Sequence, residues 1–127
     1  MEAGIPERPN EAGLAAFSER SDEPGAVTML NLLEFVPDGG RERYVEYGAA
    51  VAPLLEKAGA RVVFAGEPGP VLLGEHSWDM VLLVEYPSRK AFLEMIGSEA
   101  YQAIAHLRTE ALTRGELHPL SGVELPV

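Results

Sequence analysis

Two segments of this chain are apolar on both of their alternating faces, and few arrangements of a small protein can shelter such strands. In "AVTMLNLLEF", from Ala26 to Phe35, one face carries Val27, Met29, Asn31, Leu33 and Phe35, and the other carries Thr28, Leu30, Leu32 and Glu34. In "WDMVLLVEY", Trp78, Met80, Leu82, Val84 and Tyr86 alternate with Asp79, Val81, Leu83 and Glu85. Successive side chains of a strand point to opposite sides of its sheet, so both sides here need cover from water. With 127 residues the chain can close one hydrophobic core, and its helices reach only one face of a sheet. The other face calls for a second copy of the sheet brought by a twofold axis, or for the N-terminal helix to fold over it within one chain.

The elements around these strands follow from periodicity and punctuation. Residues 1–25 read as a polar tail ending in a short helix that Asn10 caps, with Leu14 and Phe17 docking at i, i+3 spacing. The tail up to about Glu7 lacks apolar anchors apart from Ile5 and is expected to be dispensable. After the turn "PDGG", Arg41 to Ala58 repeat at helical spacing, with Tyr44, Tyr47, Val51, Leu54 and Leu55 on one side, and Gly59 ends the helix. "ARVVFAG" is a second strand, which "VLLGE" either continues or pairs with before the third strand begins at Trp78. Ser88 caps a helix to about Ile96, a second runs from Glu99 to about Thr113, and "ELHPL" makes a short edge strand where Pro119 is tolerated. Strand, helix, strand, strand, helix, strand is the split βαβ order of a ferredoxin-like α+β domain spanning 26–120, with a C-terminal tail at 121–127.

Charge and composition remove several function classes. Twenty acidic residues against ten basic ones give a net charge of −10, which repels nucleic acid and anionic lipid. The longest apolar run, Met80 to Val84, is far shorter than the roughly 20 residues of a membrane helix, and Glu2 follows Met1 where an export signal would be basic. The absence of cysteine excludes disulfides and thiolate chemistry and agrees with a cytoplasmic location.

The run "VTMLNLLEF", the "DGG" turn followed by "YVEYGAAVAPLLEKAGARVVFAG", the later "WDMVLLVEYPSRKAFLEMIGSEAYQAIAHLRTEAL" and the upstream "LAAF" together resemble the family called domain of unknown function 1330. The resemblance runs from Ile5 to about Leu120. It implies a dimeric α+β barrel, in a superfamily that holds cofactor-independent oxygenases, haem-degrading enzymes, small isomerases and members without known activity. A reaction does not follow from it.

Individual residues mark where chemistry would sit. Asn31 is the polar residue on an apolar strand face, and a buried carboxamide needs partners, from a neighbouring loop, the dimer mate or a ligand. Arg108 falls on the apolar stripe of the last helix with Tyr101, Ile104, Ala105 and Leu112, and a guanidinium there needs an anion. That anion is either internal, with Glu34, Asp79 and Glu85 as candidates, or a substrate carboxylate or enolate. Tyr44 and Tyr47 share the buried side of the first long helix, and Trp78 and Asp79 open the third strand. With Asn31, Arg108 and Tyr101 they are the candidate lining of a pocket between helices and sheet, although aromatic residues at helical spacing are more often plain core.

His76, His106 and His118 have no metal-ligand spacing, and the gap from Trp78 to His106 is too long for the haem-degrading pattern, so neither metal nor other cofactor is expected. The serines have no nucleophile elbow, and the glycines at 66, 69 and 74 lack the context of a phosphate loop. Two readings remain. One is a cofactor-independent enzyme acting on a small, partly apolar, anionic organic molecule, with Arg108 and Asn31 holding an oxyanion and Tyr44 or Asp79 moving a proton. The other is a non-catalytic homodimeric binding or structural module in which these residues satisfy one another.

Overall fold

The computed structural model describes residues 7–126. The expectation that the tail up to about Glu7 is dispensable lies outside them for residues 1–6, while Glu7 itself is described. Eight elements follow in the order α1 (Glu11–Glu19), β1 (Val27–Phe35), α2 (Gly40–Ala58), β2 (Arg61–Gly66), β3 (Met80–Tyr86), α3 (Arg89–Gly97), α4 (Glu99–Ala111) and β4 (Leu112–Leu120). The local signals act as expected. Asn10 and Ser88 accept backbone N–H bonds from Gly13 and Ala91, Ser98 caps α4, and Gly59 ends α2 at φ 76°.

The four strands form one antiparallel sheet in the order β2-β3-β1-β4, the ferredoxin-like arrangement. Two elements differ from expectation. "VLLGE" forms no strand; Leu72 and Leu73 are almost fully exposed in the connection to β3. The last strand, in turn, is longer than "ELHPL": it starts at Leu112, directly after α4, because Gly115 and Arg114 continue the ladder against Leu33 and Glu34 of β1. β4 remains an edge strand, which suits Pro119.

The register decides which face is which. Val27, Met29, Leu33 and Phe35 are buried and oppose Tyr86, Val84 and Met80 of β3 on the side of the helices. Around them Phe92 and Met95 of α3 and Ala111 of α4 complete the core. Leu30 and Leu32 oppose Leu83 and Val81 on the other side, with Phe64 of β2 opposite Leu83 and 56% exposed. The N-terminal helix does not cover this second face. Phe17 of α1 packs edge-on against Phe92 of α3 at 5.7 Å, on the helical side, while Leu14 stays half-exposed.

Candidate functional site

The face of the sheet that meets the helices is not completely filled. A cavity of about 240 Å³ lies between α2, α3 and α4 on one side and the four strands on the other. Its apolar wall includes Met29, Val51, Leu82, Val84 and Met95, and its polar groups are Asn31, Tyr44, Tyr47, Tyr86, Tyr101 and Arg108. Helical spacing brings them together: Tyr44 and Tyr47 are three residues apart on α2, and Tyr101 and Arg108 are seven apart on α4, so each pair shares a face. Gly48 of α2 also lines the space, and a Cβ at that position would meet nothing within 4 Å. The cavity is therefore open partly because α2 carries so little bulk here.

Five of the seven residues singled out from the sequence converge: Asn31, Tyr44, Tyr47, Tyr101 and Arg108 line the cavity. Asp79 and Trp78 do not, for a reason of register. Asp79 precedes β3 and serves the end of β1: its N–H donates to the Leu33 carbonyl at 2.7 Å, and its Oδ2 accepts from the Phe35 N–H at 2.8 Å. Trp78 lies under the Arg114 guanidinium, 3.9 Å from its ring centre.

Arg108 is the electrostatic centre. Only 9% exposed, it donates from Nε to both carboxylate oxygens of Glu7, at 3.0 and 2.9 Å, and from Nη1 to the Tyr44 hydroxyl at 3.4 Å. Its Nη2 stands 2.8 Å from Glu7 Oε2, yet among the described residues it has no well-directed acceptor. The internal anion is thus not one of the three expected. Glu34 pairs with Arg114 and Glu85 with Arg61, while Asp79 is committed to β1. Glu7 was missed because it lies 101 residues from Arg108 in a polar stretch, where no periodicity points to a partner. Gly115 completes this contact. A Cβ there would come within 2.8 Å of Glu7 Cγ, so the missing side chain is the notch in which Glu7 rests.

Tyr44, Tyr47 and Tyr86 are held neutral. Burial pushes the Tyr47 hydroxyl well above its ordinary pKa, and the neighbouring Tyr101, whose hydroxyl lies 2.9 Å away, pushes it further. Burial also raises Tyr86, and raises Tyr44 despite the opposing pull of Arg108. For Arg108, burial alone would disfavour the charge, but Glu7 and the tyrosines outweigh it and hold the guanidinium protonated. Asn31 Nδ2 donates to the Met29 carbonyl at 3.2 Å, two residues back on its own strand. Within the described residues no three His, Asp or Glu side chains gather as metal ligands, and no helix is long and apolar enough to cross a membrane.

Comparisons with known proteins extend these observations. A protein of unknown function from Rhodopseudomonas palustris, RPA0582, is 32% identical and superimposes with a TM-score of 0.84, covering 98% of this chain and 100% of that one. A dimeric ferredoxin-like protein of unknown function from Jannaschia sp. CCS1 is 14% identical with a TM-score of 0.63, over 77% of this chain and 100% of its own. Another dimeric protein of unknown function with a ferredoxin-like fold, from Bacteroides fragilis, is also 14% identical, with a TM-score of 0.57 over 77% of this chain and 97% of its own. A search of curated proteins finds no match. The model of the family described as Domain of unknown function (DUF1330) matches residues 39–120, which include both tyrosine-bearing helices, Arg108 and Gly115; the chain belongs to that family.

Proposed function

We propose that this protein is a homodimeric receptor for a small, largely apolar organic anion, bound in the cavity between helices and sheet with its oxygen on Arg108. What supports an anionic ligand is the guanidinium: it is buried in an aromatic and aliphatic cleft, and Nη2 still has a proton without a directed acceptor among the described residues. The Tyr44 hydroxyl beside it and the Asn31 carboxamide add polar contacts, and the rest of the wall favours apolar or aromatic substituents. With Glu7 docked the cavity is close to electroneutral, so an anion enters by displacing that carboxylate into water. The exchange is cheap, since the Glu7 side chain is already 27% exposed.

Binding is favoured over catalysis by the state of the proton-transfer candidates. Tyr44 is buried and held protonated, and Asp79 is engaged at the end of β1, so neither is placed to take a proton from a bound molecule. Pairing with a second copy through the Leu30, Leu32, Val81 and Leu83 face is supported by the absence of any described element over it and by the dimeric state of two structural relatives.

The test is a titration of aromatic and branched-chain carboxylates against the corresponding amides, by calorimetry and thermal shift. Carboxylates should bind and raise Tm, amides should bind at least tenfold more weakly, and Arg108→Met should abolish the difference. Equal binding of both classes, or carboxylate binding unchanged in Arg108→Met, would remove the anion from the proposal.

A further inference from the structure

A second cavity, of about 200 Å³, lies between α1, the start of α3 and the end of β4, and shares no lining residue with the first. Phe17, Arg20, Arg89, Pro119 and Ser121 form most of its wall. Arg89 is only 7% exposed, and among the described residues no carboxylate forms an ion pair with it. Its Nη2 donates to Ser121 Oγ at 3.0 Å, and its guanidinium carbon lies 6.0 Å from the Phe17 ring centre.

A neutral hydroxyl and an aromatic ring 6.0 Å away offset only part of the cost of a buried positive charge, which is expensive to keep from water without a counter-ion. The chain does not lack acids, having 20 of them against 10 basic residues, and it gives Arg108 and Arg114 a carboxylate each. Glu23, the nearby acid, is taken by Arg20 and reaches Arg89 only as a distant charge. Arg89 is also the first residue of α3, where the positive end of the helix adds to its own charge. The Ser121 hydroxyl accepts from Arg89, so its proton is left to donate elsewhere.

We propose that this cavity is an anion site, in which Arg89 grips a small oxyanion, a carboxylate or phosphate group, and Ser121 donates a further hydrogen bond. The guanidinium fork matches two oxygens of either group, and Phe17 and Pro119 border the space left for a short organic remainder.

The experiment follows Tm and binding heat as inorganic phosphate or acetate replaces chloride at constant ionic strength, in the wild type, Arg89→Met, Ser121→Ala and Arg108→Met. At about 20 mM, the preferred oxyanion should raise the wild-type Tm by about 5 °C, and the stronger of the two names the headgroup. The rise should disappear in Arg89→Met and persist in Arg108→Met, which separates this site from the first cavity. Ser121→Ala should weaken binding about threefold, and it guards against an Arg89→Met that fails to fold. No rise above chloride, or a rise that neither Arg89→Met nor Ser121→Ala diminishes, overturns the proposal.

Discussion

Arg108 and Glu7 are unequal partners, and their substitution should show it. The arginine is held in the core side of α4, while the glutamate sits on the strand of chain leading into α1 and can swing into water. Glu7→Gln leaves a buried guanidinium without its counter-charge, which costs about 3 kcal/mol. Arg108→Met replaces it with an apolar side chain of similar length and frees the carboxylate, and should cost no more than about 1 kcal/mol. Urea denaturation of the two variants measures the order, and a costlier Arg108→Met would mean that Glu7 is not the main counter-ion. The tyrosines give a second signature. Burial raises the folded pKa of each of Tyr44, Tyr47 and Tyr86 above the ordinary phenol value of about 10, so its contribution is complete below that pH. As pH climbs past 10 the unfolded chain loses phenolic protons that the folded chain keeps, and stability falls by up to about 1.4 kcal/mol per pH unit for each tyrosine. Tyr47→Phe should make this alkaline decline visibly shallower between pH 10 and 11.

At the scale of elements, the N-terminal strap and β4 act together. The notch at Gly115 receives Glu7, so a truncation through Glu7, which the sequence suggests is harmless, should instead lower Tm by about 5 °C or more. Gly115→Ala should act through the same contact: the new methyl group meets the end of a flexible side chain and displaces it. Its cost and that of Glu7→Gln should therefore fall short of additive by at least about 0.5 kcal/mol in a double-mutant cycle. In α2 the missing side chain at Gly48 has the opposite meaning, since a larger residue fits into open space and also favours the helix. Gly48→Leu should raise stability by about 0.5–1 kcal/mol while abolishing ligand binding in the first cavity. Binding that survives the filling would place the ligand elsewhere.

The whole molecule is one sheet with a finished face and an unfinished one. Met29 points to the helices and is 2% exposed, whereas Leu30 points away, toward Leu83 and the side that no described helix covers. Met29→Asp should bury a carboxylate in the core and collapse the circular dichroism signal. Leu30→Asp should leave a folded or loosened protomer that light scattering finds as a monomer, against the dimer that the pairing proposal expects of the wild type. An interface of this kind needs more than about 1,000 Å² of total buried surface with a centre poor in charge, and Leu30, Leu32, Val81 and Leu83 provide such a centre. A wild type that is monomeric at tens of micromolar would end the pairing proposal.

The strand and helix order, the caps at Asn10, Ser88 and Gly59, and the placing of Tyr44 with Tyr47 and of Tyr101 with Arg108 on shared helix faces were all determined by the sequence alone, because they rest on periods of two and 3.6 residues and on short-range hydrogen bonds. Only the tertiary structure decided which face of β1 meets the helices, because both faces are apolar and alternation carries no sign. It also decided that Asp79 and Trp78 serve the end of the sheet, because a strand that begins two residues later moves them past the cavity's edge. The choice of Glu7 over three nearer acids was likewise tertiary. A charge pair spanning 101 residues depends on where a notch at Gly115 and a buried guanidinium are brought together in space, and no local pattern in the chain records that.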